Sequence, residues 1–146
     1  MGEPFELSKG QCLELLRAGV VGRVAVCTPV GPHIVPVNYS VVDDSAIVRT
    51  TPYSVLGTQA RGSLMALEVD EFDYERHRGW SVVLRGRCDF VTDAAELDHI
   101  RQTWNPDTWA SGSRTLYLRL PWHDVSGRRL GEGWDPLAGL AVRRVV

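Results

Sequence analysis

The sequence predicts a single, mainly β domain, folded as an antiparallel barrel with a few short helices. Its 146 residues are enough for one domain with a sizeable core and too few for two ordinary domains. Five or six Val-rich segments recur at short, regular intervals with turn residues between them, as hairpin-connected strands do. No GxGxxG string is present, so this pattern favours a barrel over a Rossmann sheet.

The first predicted element is a helix over residues 8–18. Ser8 and Gln11 have the spacing of a capping box, leucines follow at helical intervals, and Gly19 ends the helix. Strands come next, because β-branched residues fill three segments that turn residues separate. These strands are predicted at 20–28, 34–42 and 46–51, and a short helix is predicted near 53–61.

In the second half of the chain, a strand is predicted at 64–69, followed by an acidic loop at 70–79 and a long strand at 80–91. A helix is predicted at 94–103 and a last strand at 114–125. In the long strand, apolar residues alternate with Arg85 and Arg87, which indicates one buried face. Asp93 and Glu96 have capping-box spacing at the start of the helix. The glycine- and arginine-rich stretch from Gly127 onward predicts an extended C-terminal arm.

The composition argues against several classes of function. A formal charge of -2 and a pI near 6.1 provide no basic field for nucleic acid or anionic lipid. Lys9 is the only lysine and no P-loop is present, so Schiff-base and P-loop chemistry lose support. A bound phosphate would instead be held by arginine, hydroxyl and backbone N–H groups.

The sequence also predicts a cytoplasmic protein without a metal site. No apolar stretch is long enough for a membrane span, and the N-terminus lacks the pattern of a secretory signal. The three cysteines are far apart and are expected to be buried apolar residues, and the four histidines lack ligand spacing. No nucleophile or acid–base constellation emerges from the spacing, so no catalytic residue is predicted.

Six strings of residues occur in the order found in one known family. They lie at 21–26, 31–39, 47–51, 66–70, 79–86 and 125–130. Together they resemble the pyridoxamine 5'-phosphate oxidase-like family over roughly residues 7–130, and specifically its small flavin-binding members, which include nitroimidazole-resistance reductases. The resemblance implies a split β-barrel, a homodimer, and FMN bound in two equivalent clefts at the dimer interface.

The resemblance also implies which residues bind the cofactor. A strand segment would run along the isoalloxazine ring: Val35, Pro36, Val37 and Asn38. The flavin phosphate would be bound by Arg49, Thr50, Thr51 and Ser54. Trp80 and Ser81 match positions near the ring, and Trp109 lies in a segment that resembles the contribution of the partner chain.

One position departs from the family pattern. Related sequences follow the Arg-Thr pair with a short string that ends in a phosphate-binding lysine, whereas Val55 stands at that position here. In an alternative register, Gly57 and Thr58 match the string and Gln59 replaces the lysine. Either register lacks a cation, which lowers the expected FMN affinity by about one to two decades.

The sequence thus predicts an FMN-dependent oxidoreductase that reduces or oxidises a small aromatic or nitro compound, with a reduced nicotinamide as a possible electron donor. The substrate is expected over the exposed face of the ring, which would be bounded by Trp80, Tyr39 and aromatic groups from the other subunit. Two alternatives stay open. One is a reductase of the same fold that uses the deazaflavin coenzyme F420, and the other is a non-enzymatic dimer that binds flavin or haem.

Overall fold

The computed structural model describes residues 5–140. Nine strands and three short helices make up the regular structure of these residues. In chain order they are β1 (Phe5–Glu6), α1 (Lys9–Ala18), β2 (Val21–Thr28), β3 (Gly31–Val42), β4 (Ser45–Thr50), α2 (Val55–Gln59), β5 (Leu64–Asp73), β6 (Arg78–Arg87), β7 (Asp89–Phe90), α3 (Ala94–Trp104), β8 (Leu116–Pro121) and β9 (Asp124–Leu130).

Every strand pairing is antiparallel, and the strands lie in the order β1-β9-β6-β5-β2-β3-β4-β8-β7. The long strand β3 changes partner along its length: Gly31 to Asn38 pair with β2, and Tyr39 to Val42 pair with β4. The far end of β6 returns to β8, where a Cβ at Gly86 would lie 2.1 Å from the Pro121 carbonyl oxygen. Only glycine allows this approach. The predicted mainly β, antiparallel barrel with short helices is confirmed.

The apolar core is divided between the two faces of the β3–β4–β8 region. The main cluster fills the barrel and includes buried residues of α1, α2 and most strands, among them Leu16, Tyr39 and Leu67. A smaller cluster lies under α3 and joins Ile47 to Ile100. The Tyr39 hydroxyl donates a hydrogen bond to the Leu16 carbonyl oxygen, which ties β3 to the end of α1.

The predicted helix starts are confirmed, because both depend on local capping. Ser8 and Gln11 form a complete capping box at α1. The Asp93 carboxylate accepts from the Glu96 N–H at the start of α3. The short helix predicted near 53–61 is α2, which Ser54 caps.

Three predicted segments in the second half were wrong in their bounds. The long strand breaks at Cys88, and its last residues, Asp89 and Phe90, pair with β8 instead of continuing β6. The last strand is two strands, β8 and β9. Most of the acidic loop belongs to β5 and β6, and only residues 74–77 form the turn between them.

The predicted C-terminal arm starts later than Gly127. Gly127 to Leu130 belong to β9 and pair with β6. Beyond β9, Trp134, Leu137 and Leu140 pack against the main core, because their apolar side chains lose contact with water there. Residues 141–146 of the arm lie outside the described residues.

The expectation of three buried cysteines was wrong for one of them. Cys12 and Cys88 are buried, whereas Cys27 is exposed on β2. Burial raises the pKa of the Cys12 thiol, and burial together with Asp89 raises the pKa of Cys88 to about 12. Between residues 5 and 140 no helix has the length and apolar character needed to cross a membrane.

Candidate functional site

One face of the sheet formed by β2, β3, β5, β6 and β9 is accessible to solvent, and we call it the open face. The strand register makes Pro36, Arg23, Glu68, Val83 and Ser126 successive neighbours across it. The β5–β6–β9 part of this face forms a groove of about 790 Å³.

The open face ends where β3 exchanges β2 for β4, and we call this boundary the seam. Beyond the seam, the corresponding face of β3, β4 and β8 is covered by α3, whose Ile100 packs in the cluster with Ile47 and Tyr117. The connection between α3 and β8, residues 105–115, is held along the seam by the three hydrogen bonds described below. The seam therefore joins a covered surface to an exposed one.

Arg49 on β4 anchors this connection at two points. Its Nε donates to the Arg114 carbonyl oxygen and its Nη1 donates to the Pro106 carbonyl oxygen, both at 3.1 Å. The guanidinium lies 5.3 Å from the centroid of the Tyr117 ring, which β8 places directly opposite Arg49. A guanidinium has five N–H donors, so the Nη2 group remains for another acceptor.

Asn38 holds the middle of the same connection. Its side-chain oxygen accepts a hydrogen bond of 2.9 Å from the Trp109 N–H. The Trp109 indole itself is 71% exposed, so the bond fixes the backbone while the ring faces solvent. Asn38 and Pro36 are on the open face of β3, whereas Val35 and Val37 are on the opposite face, because side chains alternate along a strand.

Two of the hydroxyl groups predicted at the phosphate, those of Thr50 and Ser54, form hydrogen bonds within the chain. The Thr50 and Ser54 hydroxyl oxygens are 2.6 Å apart, and Thr50 is buried. Ser54 Oγ also accepts from the Gly57 N–H and donates to the Thr51 carbonyl oxygen. These bonds fix the turn that leads into α2 and make Val55 the first residue of that helix.

The residues of the alternative register, Gly57, Thr58 and Gln59, belong to α2. A Cβ at Gly57 would lie 2.2 Å from the Thr51 carbonyl oxygen, so glycine is needed where α2 packs on the preceding turn. The Thr58 hydroxyl bonds to carbonyls of its own helix, and Gln59 is at the far end of α2. Ser54, in contrast, contacts Thr50, the residue that follows Arg49 in β4. The choice between the two registers stays a prediction.

Trp80 and Ser81 lie away from this cluster within one chain. β5 and β2 separate their strand, β6, from β3. Ser81 has the register of the open face, while Trp80 points to the other side and is 5% exposed. Trp80 lines a small cavity of about 230 Å³ with Trp134 and Arg78.

The prediction that Tyr39 borders an exposed ring face was wrong. Its side chain is 1% exposed and its hydroxyl is bonded inside the barrel. Residues that the sequence did not single out lie at the seam instead. The Nε of Arg114 and the hydroxyl of Ser40 are both buried, and neither has a hydrogen-bond partner in the part of the chain that the structure describes. The one available signal for Arg114 was an arginine just before a strand, which is too common to be specific.

The open face carries an unequal set of charges. Arg23 Nη1 donates to both Glu68 and Asp70, each at 3.0 Å. Burial, followed by the neighbouring Asp70, raises the pKa of Glu68 to about 7 from an ordinary value of 4.5, although Arg23 acts in the opposite direction. One cation thus serves two carboxylates on this surface.

Comparison with known proteins identifies the family. The family model described as pyridoxamine 5'-phosphate oxidase matches residues 8–129, from the cap of α1 to the end of β9. The chain belongs to this family. The match includes β3, β4 and the connection along the seam.

Similar proteins agree with this assignment. An uncharacterized protein of Mycobacterium tuberculosis, Rv0080, is 29% identical over 133 residues, which are 88% of this chain and 86% of that protein. The structure of an FAD binding protein from Mycobacterium smegmatis is 27% identical, with a TM-score of 0.73 over 86% of this chain and 97% of that one.

A more distant member extends the likeness of fold. A putative 5-nitroimidazole antibiotic resistance protein from Bacteroides thetaiotaomicron has a TM-score of 0.69 at 17% identity, over 89% of this chain and 90% of that one. At this identity the comparison concerns the fold alone. The resemblance to the pyridoxamine 5'-phosphate oxidase-like family is thus confirmed by the family model, and the chain shares the barrel fold of these structures.

Proposed function

We propose that the protein is a flavin-dependent oxidoreductase that binds FMN at the seam. The observation that carries this proposal is Arg49, whose guanidinium forms no ion pair with any carboxylate in residues 5–140. A doubly charged phosphate is the natural partner for such a group. The resemblance of the 47–51 string to the flavin phosphate site and the FAD-binding relative of this fold give further support.

The open face next to the seam suits the flat part of the cofactor. Pro36 and Asn38 present a short apolar surface and an amide along β3, and neither introduces a charge. A planar ring needs apolar contact and a few polar groups that orient it. Asn38 already accepts from Trp109, so its NH2 group remains to donate to an oxygen or nitrogen of a bound ring.

We further propose a homodimer in which a second copy completes the site. Ser81 is three strand spacings from Asn38, or roughly 14 Å at about 4.8 Å per spacing, so one chain does not bring both to the same ring edge. The open face also exposes Val21, Ile34 and Phe72, whose fractional exposures are 40%, 71% and 43%. Burial of such side chains in a dimer is favourable.

A bound flavin would supply the redox chemistry. The residues of this chain would bind and orient it: Arg49 at the phosphate, Asn38 at the ring, and the exposed Trp109 indole as a contact for a small aromatic or nitro substrate. No side chain is assigned as a catalytic acid or base. The electron donor is proposed to be a reduced nicotinamide.

Absorption spectroscopy and flavin titration test the proposal. The purified protein should bind FMN, and Arg49→Ala should weaken the binding by about tenfold or more, because a charge-assisted contact is lost. Arg87→Ala is the matched control, since Arg87 is an exposed arginine on β6 away from the seam. Equal affinity of the two variants would refute the role of Arg49.

Two further outcomes would change the assignment. Light scattering should give the mass of a dimer at micromolar concentration, and a monomer would remove the two-chain site. A protein that binds haem or F420 but neither FMN nor FAD would contradict the flavin proposal and support one of the alternatives.

A further inference from the structure

Arg49 has a second arginine as a direct neighbour. Arg114 lies just before β8, and its carbonyl oxygen accepts the 3.1 Å hydrogen bond from Arg49 Nε. The register between β4 and β8 pairs Thr50 with Leu116, and Arg114 comes two residues before Leu116, at the end of the connection and level with the turn that leads into α2. The backbone of Arg114 is therefore held next to the Arg49 side chain.

The charge of this pair is not balanced within residues 5–140. Neither Arg49 nor Arg114 forms an ion pair there with Asp or Glu. A third arginine, Arg101 on α3, lies 5.4 Å from the centroid of the Tyr117 ring that Arg49 also contacts. Arg101 has only a long ion pair, 3.9 Å, to Asp98 on its own helix. The seam is thus a local concentration of positive charge in a chain whose net charge is -2.

Arg114 also carries a donor that lacks an acceptor. Its Nε is buried and has no hydrogen-bond partner among residues 5–140. Buried N–H donors are almost always paired, since an unpaired one has lost its bonds to water without replacement. Arg49 retains its Nη2 donors as well, because only Nε and Nη1 bond to the connection. Both arginines therefore have N–H groups that can donate to a bound anion while the hydrogen bonds from Arg49 to the connection stay in place.

We propose that Arg114 is a second phosphate-binding cation, which acts with Arg49 and replaces the lysine that Val55 displaces. This inference rests on the proposed flavin site and deepens it. It names the residue that supplies the positive charge which is missing because Val55 stands in place of the lysine. Arg114 determines specificity for phosphorylated flavins over riboflavin.

The test compares Arg114→Gln with the wild type in titrations with FMN and with riboflavin. FMN binding should weaken by about tenfold, as expected for one charge-assisted contact, whereas riboflavin binding should not change. The substitution leaves the carbonyl of residue 114 in place, so the anchor to Arg49 is kept. Arg87→Gln is the control on an unrelated strand, and Arg114→Lys should restore part of the preference for FMN.

Two results would overturn the inference. One is an unchanged FMN affinity in Arg114→Gln. The other is an equal loss for FMN and riboflavin, which would indicate a structural role for Arg114. Circular dichroism of both Arg114 variants checks folding, and the lysine variant keeps the test valid if the glutamine variant unfolds.

If the wild type binds no flavin, the anion site at Arg114 is tested without a flavin. Inorganic pyrophosphate then replaces FMN, and thermal unfolding replaces the titration. Stabilisation of the wild type but not of Arg114→Gln would support an anion site at this position and reject only the flavin. Equal responses of the two proteins would reject the anion site too.

Discussion

The hydrogen bond between Tyr39 and Leu16 is predicted to make a measurable contribution to stability. Leu16 is among the last four residues of α1, so its carbonyl has no partner within the helix. The Tyr39 hydroxyl supplies that partner, and both residues are almost fully buried. Tyr39→Phe removes the donor and leaves the carbonyl buried and unpaired, which costs about 1–3 kcal/mol.

This cost corresponds to a fall in Tm of roughly 4 °C for each kcal/mol in a domain of this size. Urea unfolding and calorimetry measure this loss of stability. Every variant is used at the same protein concentration, because unfolding of the proposed homodimer would depend on concentration. Tyr53→Phe is the control, since Tyr53 is 93% exposed and its hydroxyl can bond to water. If Tyr39→Phe is as stable as Tyr53→Phe, the hydroxyl does not stabilise the end of α1.

Three other predictions concern the site, the open face and the barrel closure. Val55→Lys should tighten FMN by about tenfold and leave riboflavin unchanged; titrations that show no difference would contradict the alignment of Val55 with the lysine. Because folded Glu68 keeps its proton to a higher pH than the unfolded chain, its contribution to stability falls as pH rises from about 4.5 to about 7. Glu68→Gln should flatten that part of the pH–stability curve, and superimposable curves would exclude this titration. Gly86→Ala should lower the free energy of unfolding by roughly 1–3 kcal/mol or more, because the new Cβ meets the Pro121 carbonyl oxygen. Gly10→Ala in α1 is the control: its Cβ has free space, so the helix should become more stable. Urea unfolding compares the two variants, and equal stabilities would contradict the role of Gly86.

The elements that the sequence predicted correctly have local causes. Ser8 and Asp93 start their helices through hydrogen bonds that span three residues, and such spacings are visible in the chain. The break at Cys88 was not visible, because the alternation of buried and exposed residues continues through it into β7. What changes at Cys88 is the partner strand, and partner choice depends on residues far away in sequence.

In the candidate site, too, the sequence indicated individual residues but not their distant partners. The family resemblance indicated Arg49 and Asn38, and the structure brings both to the connection along the seam. Their partners are the backbone groups of Pro106, Trp109 and Arg114. Backbone groups carry no sequence signature, so a contact between Arg49 and residues 57 and 65 positions away had no periodic pattern to indicate it. The roles at the cofactor stay predictions.

The change of partner along β3 explains why charge and a flat surface meet at one place. Up to Asn38 the strand pairs with β2, and its outward face is open; from Tyr39 onward it pairs with β4, and α3 covers that face. The connection from α3 to β8 lies along this boundary, where Asn38 bonds to its backbone and two of its carbonyl oxygens accept from the Arg49 side chain. Arginine is suited to this position because its planar group can bond to two carbonyls and still present donors to an anion. Lysine, as a single point charge, would anchor the connection less well, so Arg49→Lys should loosen residues 105–115 even though the charge is kept, and faster amide exchange at Trp109 would reveal it.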